Sequence, residues 1–150
     1  MGEDMQRRLN LSLKAGHALE VTRIAIGSEK LVYVLLADKK FTYGYGRKST
    51  IAYIGTTKKG VARIAESAAK YAQQVLLERG VRRVTARIVT CAPRRRVKTW
   101  LKLERALLIQ FRSEYGRVPW WNSQGAKLTE EDEFRYFSRE ALRNLLQRLG

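Results

Sequence analysis

The sequence predicts an α/β protein with a small, mostly antiparallel sheet of three or four strands, flanked by helices. Three observations support this class. The chain has 150 residues and 45% of them are hydrophobic, which is typical of one domain with its own core. Short runs rich in strand-forming residues alternate with longer stretches of helical periodicity. Glycine-bearing turns separate these runs from one another.

The strands are predicted from apolar and alternating runs. Alternation over residues 19–26 indicates a first strand. The continuous apolar run of residues 31–37 is typical of a central strand buried on both faces, and residues 51–55 form a similar, shorter run. Residues 81–91 alternate again, with arginines on one side. The polar, glycine-bearing stretch 38–50 predicts an inserted hairpin between two of these strands.

Two helices are predicted within a core domain of residues 31–125. Thr57 is a plausible N-cap for the first helix, which carries an apolar stripe and ends at Gly80. The second and longer helix is predicted to begin near Arg95 and to end at Gly116. Between them the two helices provide apolar faces that can cover the sheet.

An extension is predicted on each side of this core. Residues 1–30 form an N-terminal extension that contains the first strand. Residues 126–150 form a net-neutral C-terminal extension with a final helix that Ser138 caps and that carries leucines on one face. This leucine face indicates packing, or contact in a homodimer, so that any sequence specificity would come from the core, the 38–50 hairpin or a partner protein.

The net charge of +16 is concentrated in the middle of the chain. Residues 82–117 contain 11 basic and 2 acidic side chains, a net +9. Clustered positive charge indicates a polyanionic partner, of which nucleic acid is the first candidate. A high isoelectric point without a specific partner is the alternative. The basic residues expected to contact nucleic acid are Arg47, Lys48, Lys58, Lys59, Arg82, Arg83, Arg94, Arg95, Arg96 and Lys98.

Composition argues against several functional classes. Cys91 is the one cysteine, so an internal disulfide is impossible, and His17 is the one histidine, which nearly excludes zinc sites and histidine catalysis. No apolar run approaches the ~20 residues that a membrane span needs. We therefore expect a cytoplasmic protein without a membrane partner.

Glu104 interrupts the apolar stripe of the longer predicted helix. Its neighbours one turn away are all apolar: Trp100, Leu101, Leu107 and Leu108. A carboxylate in such surroundings is paired, bound to a metal or placed at the rim where it reaches solvent. A salt bridge to an arginine is the ordinary interpretation, and a divalent-metal ligand is the functional one. Magnesium accepts one carboxylate, because waters and substrate phosphate oxygens complete its shell.

Two tyrosine-bearing motifs and three later residues resemble the GIY-YIG nuclease family across about residues 31–124. Residues 53–55 read Tyr-Ile-Gly, which matches the second motif of the family, and residues 32–34 read Val-Tyr-Val, which keeps the tyrosine of the first. Arg63 stands ten residues after Tyr53, at the position of the family's helix arginine. Glu104 matches its metal-binding glutamate and Asn122 its loop asparagine.

The resemblance implies a GIY-YIG-like fold and an endonuclease that uses Mg²⁺ or Mn²⁺ to hydrolyse double-stranded or branched DNA. The roles it implies are water positioning by Tyr33 and Tyr53, a phosphate clamp by Arg63, metal binding by Glu104, orientation of the glutamate or substrate by Asn122, and close backbone approach at Gly55. Structural alternatives stay open: core packing for the tyrosines, solvent exposure for Arg63 and a turn role for Asn122. Trp120 and Trp121 are core residues or a stacking surface.

The chain departs from the family pattern in two places. Nineteen residues separate Tyr33 from Tyr53, which is longer than usual and accommodates the predicted hairpin. Ser67 stands where the family often has histidine or tyrosine, and Tyr71 lies one helical turn further on. Two rival functions follow: a non-catalytic DNA- or RNA-binding module on the same fold, and a basic structural protein of a ribonucleoprotein.

Overall fold

The computed structural model describes residues 8–17, 20, 30–123 and 127–150. Within these ranges it has the α/β class predicted from the sequence, with a three-stranded antiparallel sheet and helices. The strand predicted over residues 19–26 lies outside the described residues, except for Glu20. The elements in chain order are β1 (Leu31–Thr42), β2 (Lys48–Thr57), α1 (Val61–Val75), β3 (Val84–Val89), α2 (Thr99–Tyr115), α3 (Glu133–Tyr136) and α4 (Arg139–Leu149).

Strand β1 lies in the middle of the sheet, which has the order β2-β1-β3 with both pairings antiparallel. Every residue from 31 to 35 is buried, which confirms the predicted central strand. Successive side chains of a strand point to opposite faces. Tyr33 therefore packs with Ile64 of α1 in a small cluster, whereas Val32 and Val34 pack in the main core with residues of α2.

Helix α1 is shorter than predicted at both ends. Thr57 closes β2 and its hydroxyl accepts a hydrogen bond from the Lys59 N–H at 3.0 Å, so the prediction that it caps the helix is wrong. Gly60 takes the cap position with a φ of 73°, a left-handed conformation that favours glycine. The helix ends at Val75, and Gly80 (φ 87°) belongs instead to the turn before β3.

The arginine-rich segment precedes α2 and does not form its first turn. Helix α2 begins at Thr99, so the predicted start near Arg95 is wrong. The Val97 N–H donates to the Arg94 carbonyl at 3.1 Å, and Arg96 has a φ of 62°. A left-handed residue in a tight turn cannot continue into a helix. The other end is as predicted, since Gly116 caps it with a φ of 80°.

The predicted hairpin of residues 38–50 exists, and it is made by the outer ends of β1 and β2 with a turn between them. The Tyr43 N–H donates to the Arg47 carbonyl at 2.9 Å across this turn. Phe41 and Tyr43 are buried in the main core. Trp121 packs against Phe41 with ring centroids 5.2 Å apart, so this tryptophan serves the core, as expected of at least one of the pair.

The C-terminal segment packs on α2. The Ser138 hydroxyl accepts a hydrogen bond from the Ala141 N–H at 3.1 Å, which confirms the predicted cap of α4. Leu142 and Leu146 are buried in the main core. Among the described residues, the structure contains no helix with the length and apolar character that crossing a membrane requires.

Candidate active site

Tyr33 and Tyr53 meet over Gly55 on the α1 side of the sheet. The register pairs Tyr33 directly with Gly55, and the two tyrosine rings lie 5.9 Å apart. A β-carbon on Gly55 would lie 2.6 Å from the Tyr53 ring and 2.9 Å from the Tyr33 hydroxyl. Only glycine leaves room for both rings, so Gly55 permits a close approach of side chains to the backbone.

Helix α1 supplies two further hydroxyl groups to this pair. The Tyr33 hydroxyl hydrogen-bonds to the Ser67 hydroxyl, and the Tyr71 ring stacks on Tyr53 with centroids 4.1 Å apart. Arg63, Ser67 and Tyr71 are spaced four residues apart, so they share one face of the helix. The four-residue spacing is visible in the sequence and predicts a shared helix face. The sequence did not predict that Ser67 bonds directly to Tyr33.

Burial raises the pKa of both tyrosines above the ordinary value. For Tyr33 the hydrogen bonds from Ser67 and Tyr53 oppose the effect of burial without reversing it. For Tyr53 burial and the neighbouring Tyr33 both act upward. Both phenols are therefore protonated at neutral pH. In this state they can donate hydrogen bonds to a water or a phosphate oxygen, and they do not act as bases.

Arg63 faces solvent from α1, as its position opposite the apolar stripe predicts. Its side chain is 50% exposed and its guanidinium forms an ion pair with Glu66 at 2.8 Å. Hydrogen bonding to Glu66 is the main cause that raises the Arg63 pKa, and Tyr33 also contributes. An exposed ion pair of this kind is weak, so Arg63 can exchange Glu66 for another anion.

Glu104 reaches the same strand pair from α2. It is half-buried, and burial raises the pKa of its carboxyl even though a hydrogen bond from Thr56 opposes this. Its charge also acts on the Tyr33 hydroxyl. The salt bridges of the described residues do not include Glu104, and Arg105 attracts it only weakly. Thr56 directly follows residues 53–55, yet no sequence pattern marked it as a partner of Glu104.

Glu104 is a better candidate ligand for a divalent cation than the one acidic cluster among the described residues. The described residues contain one group of three acidic side chains, Glu131, Asp132 and Glu133. Lys102 binds Asp132 at 2.5 Å and Arg105 binds Glu133 at 2.6 Å, so these carboxylates are already neutralised. Glu104 takes part in no salt bridge of the described residues and lies beside the Thr56 hydroxyl, which suits a Mg²⁺ or Mn²⁺ ion that keeps several waters.

Asn122 binds the backbone of the Tyr-Ile-Gly tripeptide. Its side-chain carbonyl accepts from the Ile54 N–H at 3.0 Å and its amide donates to the Ile54 carbonyl at 2.8 Å. The residue is buried, and both its side-chain carbonyl and its amide N–H bond to this strand. Asn122 therefore holds the loop after α2 against β2 and positions the strand from which Tyr53 projects.

The basic residues that were expected to contact nucleic acid all lie at the surface. Each of the ten, from Arg47 to Lys98, is exposed. Two have neighbours of their own: Arg47 lies 3.9 Å from Glu114, and the Arg94 guanidinium lies 5.1 Å from the Tyr136 ring. Their exposure leaves this positive charge available to a polyanion.

Comparison of the chain with protein-family models, with curated proteins and with solved structures gave no match.

Proposed function

We propose that this protein is a divalent-metal-dependent endonuclease of the GIY-YIG type that hydrolyses phosphodiester bonds of DNA. The observation that carries the proposal is the cluster around Tyr33 on the α1 side of the sheet: Gly55 and Tyr53 lie against it, Ser67 bonds to it, and Arg63 lies one helical turn before Ser67 on the same face of α1. Glu104 adds a carboxylate beside Thr56, the residue after Gly55, and it takes part in no salt bridge of the described residues. Hydroxyl groups, a cation and a carboxylate are what phosphodiester hydrolysis requires.

The reaction replaces one P–O ester bond with a bond to the oxygen of water. In this proposal the protonated hydroxyls of Tyr33 and Tyr53 hold the water or a phosphate oxygen in place, and the proton that water loses leaves through solvent. Arg63 exchanges Glu66 for the phosphate and stabilises its added negative charge. Glu104 would hold the metal ion, which would supply positive charge that stabilises the phosphate and the departing oxygen, and that oxygen takes up a proton from solvent.

A plasmid-nicking assay with Mg²⁺ or Mn²⁺, and with a chelator as control, tests this proposal. Glu104→Ala and Arg63→Ala should each lower the nicking rate by about 100-fold or more, the loss typical of a removed transition-state contact. Glu66→Ala is the matched control on the same helix. Because it frees Arg63, it should keep or increase the rate. Unchanged nicking by both Glu104→Ala and Arg63→Ala would overturn the site.

One observation favours a second candidate, a non-catalytic DNA- or RNA-binding module. Arg63 is engaged by Glu66, so the phosphate clamp of an enzyme is neutralised before substrate arrives. A binding module would tolerate this, because its affinity comes from the exposed arginines and lysines. Tight, salt-dependent binding together with no cleavage of linear, nicked, branched or single-stranded DNA by any divalent metal would favour the binding module over the enzyme.

A further inference from the structure

Two aromatic side chains project into solvent at one end of the sheet. Tyr45, in the β1–β2 turn, is 77% exposed, and Trp120, in the loop after α2, is 45% exposed. The other aromatic residues of the chain all lie in the described ranges and are buried or half-buried. The Trp120 ring stacks on Tyr43, two residues from Tyr45, at 5.7 Å. We call Tyr45 and Trp120 together the aromatic tip.

The fold holds the aromatic tip rigidly. The Gly44 N–H donates to the Tyr115 carbonyl at 2.7 Å, and a β-carbon on Gly44 would lie 2.9 Å from that oxygen, so the turn docks directly on the end of α2. The Trp120 N–H donates to the Tyr43 hydroxyl at 3.1 Å, and its indole N–H donates to the Thr42 carbonyl at 3.3 Å. The Trp120 ring and the backbone that carries Tyr45 are fixed in this way, so ordering them costs little entropy when a ligand binds.

The backbone at Tyr45 is strained, and exposure of the ring does not explain the strain. Its φ of 60° lies in the left-handed region, where glycine or asparagine is favoured and a bulky residue is an outlier. Contacts with the protein are limited, since the ring lies near Gly116 but stays mostly in solvent. Tyr45 and Gly46 (φ 68°) are the central residues of a tight turn in which the Arg47 N–H donates to the Gly44 carbonyl at 3.2 Å, so the hairpin turn imposes the positive φ and presents the Tyr45 ring to solvent.

The surroundings of the aromatic tip are basic. An open cavity of about 510 Å³ lies beside Trp120 and is lined by Lys39, Lys40 and Glu78 among others. The Arg117 guanidinium lies 3.7 Å from the centroid of the Trp120 ring. On the other side, beside Tyr45, Arg47 and Arg143 line a second cavity with Glu114, which is ion-paired to both at 3.9 and 3.5 Å. The net charge around the two rings is therefore positive.

From this combination we propose that the aromatic tip binds unpaired nucleotides of a DNA strand. Bases inside a duplex have no free face, so the exposed Tyr45 ring selects bases that are unstacked. The neighbouring lysines and arginines, including the Arg117 guanidinium that packs on Trp120, contact the phosphates. The cavity beside Trp120 has the size of an ordinary small-ligand site. The inference rests on the proposed endonuclease function and narrows its substrate class to DNA with single-stranded segments, such as flaps or branches.

Binding measured without metal tests the aromatic tip separately from cleavage. Fluorescence anisotropy with the full chain in a chelator compares a labelled oligo-dT of about 20 nucleotides with a duplex of the same length, which covers the site size of known single-strand binders. Tyr45→Asn should weaken oligo-dT binding by about 10-fold and duplex binding by less than about 2-fold, because one stacking contact is lost. Asparagine suits a φ of 60°, so the melting temperature should not fall.

Three further variants make the result unambiguous. Tyr45→Phe keeps the ring and should keep oligo-dT affinity, whereas Trp120→Ala should lower it. Leu13→Ala removes an apolar side chain that is 100% exposed and should change neither affinity. Unchanged oligo-dT affinity in both Tyr45→Asn and Trp120→Ala would overturn the inference, as would an equal loss for duplex. Self-association that depends on Tyr45, with no effect on oligo-dT, would instead assign the tip to a second copy of the chain.

These outcomes are separable from those of the nicking assay. If the wild-type chain cleaves no DNA yet loses oligo-dT affinity selectively in Tyr45→Asn, the aromatic tip stands and the endonuclease proposal fails. If the chain nicks plasmid DNA with metal and neither Tyr45→Asn nor Trp120→Ala changes oligo-dT affinity, the endonuclease proposal stands and the aromatic tip fails.

Discussion

Glu104 is held in an environment that disfavours its charge. It is half-buried on α2, and burial raises the pKa of its carboxyl, with a Thr56 hydrogen bond as partial compensation. A side chain selected for stability alone would be apolar or paired at this position. Proteins retain such groups where an activity needs them, and they lose stability in return. The unfavourable environment of Glu104 should therefore lower the stability of the metal-free protein, and this effect can be measured without any substrate.

Replacing Glu104 with glutamine should stabilise the metal-free protein at neutral pH. Because the folded-state pKa lies above the unfolded value, the folded state binds more protons in this range, and stability falls as pH rises through it. Glu104→Gln removes that loss, so we expect a gain of about 0.5–2 kcal/mol at pH 7. The gain should disappear near pH 4, where the carboxyl is protonated in both states.

Thermal unfolding at the two pH values, with and without Mg²⁺, checks this prediction. Saturating Mg²⁺ should raise the melting temperature of the wild-type chain and leave that of Glu104→Gln unchanged, since only a state that binds the ion is stabilised by it. A Glu104→Gln chain that is less stable than wild type at pH 7 would mean that the carboxylate is favourably paired, which would contradict the argument.

At the scale of elements, β2 is an edge strand of the sheet that the described residues form, and its outer side is covered by the loop after α2. The Trp121 N–H donates to the Ala52 carbonyl at 3.2 Å, and Asn122 binds both backbone groups of Ile54. These bonds replace a neighbouring strand and satisfy groups that would otherwise be unpaired at a sheet edge. The loop thereby stabilises the strand that carries Tyr53 and Gly55.

Truncation of Asn122 should therefore destabilise the fold more than an ordinary polar substitution. Asn122→Ala leaves the buried N–H and carbonyl of Ile54 without partners, at a cost of about 2–4 kcal/mol in the free energy of unfolding. Asn122→Asp keeps the acceptor but loses the donor and adds a buried charge, so it should be at least as damaging. Urea denaturation measures both.

Asn144 provides the matched control for this experiment. It is exposed on α4, so Asn144→Ala should change the free energy of unfolding by no more than about 0.5 kcal/mol. If Asn122→Ala is as stable as this control and still loses DNA cleavage, Asn122 acts in the chemistry itself and its backbone contacts are secondary.

The elements differ in how far local sequence predicts them. The central strand follows from its apolar run, and the Ser138 cap and the Gly116 stop follow from local residue chemistry. Helix starts were less predictable: Thr57 has the right chemistry for a cap, but the chain is still extended there and turns only at Gly60. The turn at Arg94 to Val97 depends on a left-handed arginine, which no local preference predicts.

The residues of the candidate site also differ in how far the sequence predicts them. Glu104 stood out because it breaks a periodic apolar stripe, and Gly55 and the tyrosines were marked by a motif. The contacts of Ser67 with Tyr33 and of Thr56 with Glu104 join residues 34 and 48 positions apart. A single hydrogen bond between distant polar residues leaves no periodic trace in a sequence, so such partners become visible only in the folded chain.

Across the whole molecule, the acidic residues neutralise some basic groups and leave others available. In the C-terminal half, Asp132, Glu133 and Glu130 pair with Lys102, Arg105 and Arg139. By contrast, the salt bridges of the described residues include no member of the arginine turn, residues 94–96, and all three side chains there are exposed. Positive charge that no described salt bridge neutralises is therefore concentrated at the arginine turn. We expect this turn to contact phosphate groups of DNA.

The double variant Arg95→Ala and Arg96→Asn should weaken DNA binding equally for all sequences and reduce its salt dependence. Asparagine tolerates the left-handed backbone at position 96, so the turn should stay intact. The slope of log affinity against log salt concentration should become shallower by about 2, because each lost phosphate contact contributes about 0.9.

Arg135→Ala with Arg148→Ala removes the same charge from exposed positions of the C-terminal segment and should leave the slope nearly unchanged. Titration of a labelled duplex at several salt concentrations measures both variants, and equal slopes for the two would show that net charge alone, and no local contact at the arginine turn, drives binding.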